Sequence, residues 1–120
     1  MEAARVLCVD DEPLIRMMLA DSVTDLGLIA LEAENGEEAV ALIEAEKVDL
    51  VITDIRMGEI SGWEVAERAR AKHPTMPIIY VSGFPSKGKS LPGAIYIAKP
   101  FRPHEIEAAV LRCLRELEEA

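Results

Sequence analysis

Asp49-Leu50-Val51-Ile52-Thr53-Asp54-Ile55-Arg56-Met57 contains an uncharged apolar run, Leu50 to Ile52, that soon stops at an aspartate. Gly58, Ser61 and Gly62 follow as loop residues. A continuous apolar run suits a strand covered on both faces, with the acid standing at its C-terminal end. In open parallel α/β sheets, ligands bind just outside such ends. Asp54 is therefore expected to project into a polar crevice above an apolar floor. Three further runs share the pattern. Arg5-Val6-Leu7-Cys8-Val9 ends in Asp10-Asp11-Glu12, Ile78-Ile79-Tyr80-Val81 ends in Ser82-Gly83, and Ala94-Ile95-Tyr96-Ile97-Ala98 ends in Lys99-Pro100. Parallel strands in one sheet would gather an acid pair, an acid, a hydroxyl and an ammonium at one edge.

Helical patterns separate these runs. Glu12 and Pro13 open a helix with Ile15, Met18, Leu19, Ser22 and Leu26 on one face and Gly27 as its C′ residue. Leu28 to Ala33 reads as a further strand. Asn35-Gly36 is a turn in which Asn35 caps a helix with an apolar face of Ala39, Val40 and Ile43. Ser61-Gly62 starts a helix that turns Val65, Ala66 and Ala69 inward and Glu67, Arg68 and Arg70 outward, and His73-Pro74 ends it. Pro77 takes the first position that a strand allows to proline. Pro103 and Glu105 open the last helix, whose face is Ile106, Ala109, Val110, Cys113, Leu114 and Leu117. This alternation predicts an α/β fold, a doubly wound parallel sheet with right-handed crossovers. Residues 1–120 are expected to form one domain. The stretch 83–93 holds Pro85, Gly88 and Pro92 between Gly83 and Gly93, so one helical turn at most is expected there.

Composition narrows the function classes. The 120 residues carry a formal net charge of −9, which argues against nucleic-acid binding, a function that usually needs a basic patch. No uncharged stretch approaches the length of a bilayer span. The first residues, Met1-Glu2-Ala3-Ala4-Arg5, lack a signal-peptide apolar region. A cytoplasmic location without membrane contact is expected. Cys8 and Cys113 sit among apolar neighbours and read as reduced core thiols rather than a disulfide or a zinc site. Trp63 and Phe101 read as packing residues, and His73 and His104, at a helix end and a helix start, are given no catalytic role.

Taken singly, Asp10 and Asp11 would read as helix caps, Lys99 as a solvated lysine and Ser82 as a turn residue. Together, in this order and each at a strand end, Asp10-Asp11, Asp54, Ser82 and Lys99-Pro100 resemble the receiver domain of two-component response regulators. The resemblance covers the whole chain, and Met57 and Gly62 match the family's loop after the acceptor. It implies a flavodoxin-like five-stranded sheet of order 2-1-3-4-5, with the family's fourth helix shortened here or replaced by a loop. It implies that Asp54 takes a phosphoryl group from a histidine kinase or phosphotransfer protein, and that a downstream protein target reads the change. It further implies Mg²⁺ held by Asp11 and Asp54, with Asp10 through water and the backbone carbonyl of Arg56. Ser82, Gly83 and Lys99 would meet the phosphoryl oxygens, Ser82 and Tyr96 would form the switch, and the bond before Pro100 would be cis.

Physical chemistry supports that site. Close carboxylate pairs repel by roughly 4 kcal/mol each at an effective dielectric of about 20, and a divalent cation relieves this. No turnover is expected beyond Mg²⁺-assisted self-phosphorylation and autodephosphorylation. The chain also departs from the family pattern. Gly58 stands where proline is common, serine replaces the commoner threonine at 82, and Arg56 brings a long cation expected to alter phosphoryl lifetime. The short connection from Ser82 to Tyr96 resembles stand-alone receivers and those fused to hybrid kinases; it is expected to be mobile until phosphate orders it. Three rival readings meet obstacles in the sequence. An aspartate-nucleophile phosphatase needs a second acid where Arg56 stands. A flavodoxin-like binding module needs a phosphate loop where Asp10-Asp11-Glu12-Pro13 would repel phosphate. The remaining alternative is a degenerate receiver signalling by contact alone, and the intact Asp10, Asp11, Asp54, Ser82 and Lys99 argue against it.

Overall fold

The computed structural model describes residues 2–83 and 89–119. Among these residues are five strands, β1 (Arg5–Val9), β2 (Ile29–Ala33), β3 (Leu50–Thr53), β4 (Ile78–Ser82) and β5 (Ile95–Ala98), and four helices, one after each strand except β4. The helices are α1 (Pro13–Asp25), α2 (Gly36–Ala45), α3 (Gly62–Lys72) and α4 (Pro103–Glu119). The strands pair in parallel in the order β2-β1-β3-β4-β5. β1, β3 and β4 take the interior positions and are buried almost throughout, as continuous apolar runs covered on both faces should be. Among the described residues, no helix is long and apolar enough to cross a membrane.

Alternation along each strand divides the core in two. Leu7, Val9, Val51 and Tyr80 pack with residues of α2 and α3 on one face. Val6, Cys8, Ile52 and Val81 pack with residues of α1 and α4 on the other. Cys8 and Cys113 are both buried free thiols in the second core. Trp63 and Phe101 are packing residues; Trp63 meets Tyr80 edge-on, with ring centroids 4.7 Å apart. Local chemistry sets the helix starts. Pro13 opens α1, the Asn35 side chain accepts from the Glu38 amide, and the Ser61 side chain accepts from the Glu64 amide.

Three sequence expectations need correction. Arg70 is not an outward residue. It is half-buried, and its guanidinium donates to the Met76 carbonyl at 3.0 Å and the Pro92 carbonyl at 2.6 Å. Leu117 is 37 % exposed, because the face of α4 outruns the sheet that it covers. On α2 the core takes Ala39, Leu42 and Ile43, and Val40 lies at its margin, half-buried. Between β4 and β5, no helix occurs among the described residues. The expectation of a mobile connection falls mainly on residues 84–88, outside the described residues. Beyond them, Leu91 donates to the Tyr80 hydroxyl at 3.3 Å, and Leu91 and Ala94 pack against the α2–α3 core.

Candidate functional site

The parallel ladder runs one residue past β1 and β3. The Asp10 amide donates to the Ala33 carbonyl and the Asp54 amide to the Val9 carbonyl. Two acids are thereby fixed on neighbouring central strands. Asp10 is fully buried and Asp54 is 7 % exposed. Each carboxylate accepts from a backbone amide close in sequence: Asp10 from Glu12 at 2.9 Å, and Asp54 from Ile55 at 2.6 Å. The Thr53 hydroxyl donates to the Asp54 carbonyl at 2.8 Å. Gly62 backs directly onto the Asp54 carbonyl, where any side chain would collide with backbone.

Lys99 leaves the end of β5 after its amide donates to the Ser82 carbonyl at 3.0 Å. The Lys99–Pro100 peptide is cis. The Lys99 side chain crosses toward the sheet centre. Its Nζ lies 2.8 Å from Asp10 Oδ2, 3.2 Å from Asp54 Oδ2 and 3.8 Å from Glu12 Oε1. Burial pushes the Asp10 carboxyl up, against the pull of Lys99 and the Glu12 amide, and the Asp54 charge adds to the rise. Burial alone would lower the Lys99 ammonium, but its contacts with Asp10 and Asp54 outweigh this and leave it raised.

These groups meet at an open pocket of about 430 Å³ at the C-terminal ends of the strands. Asp11, Glu12 and Asp54 line it, together with Arg56, Ser82, Gly83 and Lys99. Every residue assigned to phosphoryl or metal chemistry from the sequence is therefore at the pocket or, for Asp10, in contact with Lys99 beside it. Ser82 is nearly buried, Arg56 is exposed, and the half-buried Tyr96 donates through its hydroxyl to the Ser82 carbonyl at 3.4 Å. Asp10, Asp11 and Glu12 bring carboxylate oxygens within 4.8 Å of one another. With Asp54 across the same pocket as Asp11, the donor set is all oxygen and acidic, which fits a hard cation such as Mg²⁺.

Sequence reasoning missed two contributors. Glu12 lines the pocket and faces Lys99, and the signal was its place as the third acid of the run. Arg16 donates to the Asp10 carbonyl at 2.9 Å and pairs with Glu32 of β2 at 3.4 Å, tying the acid pair to α1 and β2. Gly58 adopts a φ of +77°, which proline could not follow. The loop therefore takes a course that the commoner proline would forbid.

Residues 6–111 match the family described as the response regulator receiver domain. A response regulator receiver protein from Sinorhizobium medicae superposes with a TM-score of 0.91 at 32 % identity, covering 95 % of this chain and 96 % of that one. The response regulator TrrA from Thermotoga maritima, solved in complex with Mg²⁺ and BeF, gives 0.82 at 37 % identity, covering 92 % and 98 %. A probable transcriptional regulator, ycf27, of Guillardia theta is 36 % identical over 97 % of this chain and 47 % of its own length. The chain spans about half the length of the curated relatives it matches.

Proposed function

This chain belongs to the response regulator receiver family, and on that premise we propose that Asp54 accepts a phosphoryl group from the phosphohistidine of a kinase or phosphotransfer protein. The reading rests on one observation above the others: a single ammonium, Lys99 Nζ, is held between the buried carboxylates of Asp10 and Asp54 at the floor of an open acidic pocket.

Asp54 Oδ1 is held by the Ile55 amide, which leaves Oδ2 as the attacking atom. Its bond to phosphorus forms as the phosphorus–nitrogen bond breaks, and the imidazole leaves with the electron pair. Lys99 then exchanges Asp54 Oδ2 for a phosphoryl oxygen and keeps its anchor on Asp10. Ser82 and Gly83, at the end of β4 between the strands of Asp54 and Lys99, meet the remaining oxygens. Asp11 and Asp54, with Asp10 and the Arg56 carbonyl, are the residues that would hold Mg²⁺. When bound, the cation supplies positive charge against the crowded carboxylates and the incoming phosphoryl oxygens. Drawing Ser82 toward the phosphoryl group would strain the Tyr96 hydroxyl's bond to the Ser82 carbonyl, so Ser82 and Tyr96 carry the switch to a downstream protein. The chain acts as a stoichiometric acceptor, with self-phosphorylation and autodephosphorylation as its only turnover, and works in the cytoplasm beside its phosphodonor.

The test is incubation with Mg²⁺ and acetyl phosphate followed by intact mass measurement. The wild type should gain one phosphoryl group, and Asp54→Asn should gain none. Full labelling of the variant would sink the assignment of Asp54. No labelling of the wild type would favour signalling by contact alone.

A further inference from the structure

The loop that carries the acceptor is fixed on its core side. Ile55 and Met57 are buried, and the Gly62 amide donates to the Ile55 carbonyl at 2.8 Å. Its far end, Ile60, meets a different element. Gly36, the first residue of α2, is buried against it. A Cβ on Gly36 would lie 2.5 Å from the Ile60 carbonyl oxygen and 2.6 Å from both Ile60 Cβ and Cγ2.

Backbone conformation gives no reason for a glycine at this position, because Gly36 is not among the residues of positive φ. Helix propensity alone would favour alanine. What excludes a side chain is Ile60. The start of α2 cannot readily give way, because Asn35 accepts from the Glu38 amide at 2.7 Å while the Glu38 carboxylate accepts from the Glu34 amide at 2.9 Å. The loop is the softer partner: Gly58 and Glu59, just before Ile60, are exposed.

We infer that Gly36 is a positioning residue for the acceptor loop, a backstop on α2 that sets where Ile60, and with it Asp54 and the Arg56 carbonyl, can sit. The inference rests on the phosphoacceptor reading above for its consequence, though not for the contact itself. Added bulk at residue 36 would push the loop from outside the pocket, with no change to any residue lining it.

The experiment compares the wild type, Gly36→Ala, Ile60→Gly and the double variant in the full chain, with circular dichroism and urea midpoints as the record of folding. Amide hydrogen exchange at Gly62 without metal reads the loop directly, and the initial rate of acetyl phosphate labelling with Mg²⁺ reads its consequence. Gly36→Ala should speed Gly62 exchange and slow labelling by about tenfold or more, since displacements near 1 Å at a reacting centre cost up to about a hundredfold. The double variant should recover both to within about threefold of Ile60→Gly alone, the signature of two residues coupled by contact. A folded Gly36→Ala chain with wild-type exchange and labelling overturns the inference, as does a loss that Ile60→Gly fails to repair. If Gly36→Ala alone does not fold, a folded and labelled double variant supports the inference and an unfolded one overturns it. A wild type that takes up no phosphoryl group defeats the phosphoacceptor reading, while Gly62 exchange still decides the contact.

Discussion

Lys99 faces three carboxylates, and Asp10, the one fully buried, depends on it most. In Lys99→Met, Asp10 keeps its burial and loses its ion pair. An uncompensated buried charge costs about 3–5 kcal/mol. Asp10 has an escape, because burial already raises its carboxyl toward the neutral form. The expected loss is therefore nearer the 1–3 kcal/mol or so of an unsatisfied polar group, read from urea unfolding without metal. A loss under about 0.5 kcal/mol, the usual size for a surface change, would show that the ion pair contributes little to the fold. Cys8, on β1 and two residues before Asp10, gives a pH dependence of its own. Burial, with the Glu32 charge, pushes its thiol from 9.0 up to about 12. The folded state thus keeps a proton that the unfolded chain releases near pH 9. The stability contributed is complete below pH 9 and is lost as pH rises from there toward 12. One thiol accounts for about 2 kcal/mol by about pH 10.5, at 1.36 kcal/mol per unit. Denaturation curves at about pH 8 and 10.5 should therefore lie closer together in Cys8→Ala than in the wild type.

At the scale of elements, the end of α1 shows how a stop signal is built. The Gly27 amide donates to the Thr24 carbonyl at 2.9 Å and the Leu28 amide to the Val23 carbonyl at 3.3 Å, the paired bonds of a Schellman motif. Gly27 stands at a φ of +80° with open space around its Cα. Gly27→Ala should thus lower stability by about 1 kcal/mol for conformational reasons alone, measured as a shift in urea midpoint. An unchanged midpoint would mean that α1 can end by another route. This stop was legible in the sequence, as were the Asn35 cap and the helix start at Ser61-Gly62, because each is written in adjacent residues. The four strand-end groups were legible for a related reason: an apolar run and the polar residue that ends it are local, and parallel pairing brings like ends together. Arg70 was misjudged because its acceptors, Met76 and Pro92, lie in other segments, so helical periodicity alone placed a cation outward. The backing of Gly36 on Ile60 was invisible for the same reason. An Asn-Gly pair reads as a turn whatever lies behind it, and only the packed loop reveals why no side chain fits.

On the scale of the whole molecule, the proposed cation site at one edge of the sheet predicts that stability responds to Mg²⁺. At a Mg²⁺ concentration about ten times Kd, mass action adds about 1.4 kcal/mol to the unfolding free energy. Asp11 is exposed, so Asp11→Ala should leave metal-free stability within about 0.5 kcal/mol and remove most of the gain. Urea curves with and without Mg²⁺ give both values, and a gain that survives the substitution would relocate the cation. The opposite edge has a different consequence. Glu2, Ala3 and Ala4, before β1, share one cavity of about 370 Å³ with Leu114, Leu117 and Glu118 near the end of α4. The two ends of the described chain therefore lie side by side, at the N-terminal ends of the strands, the edge of the sheet opposite to the one that bears Asp54. A bridge of a few residues would close the described domain into a ring, and the ring could be reopened between the exposed Pro74 and Thr75. Every strand would keep its neighbours, so a chain reopened there should fold with the acid pocket whole, its elements in the same cyclic order and only the genetic wording of the starting point changed.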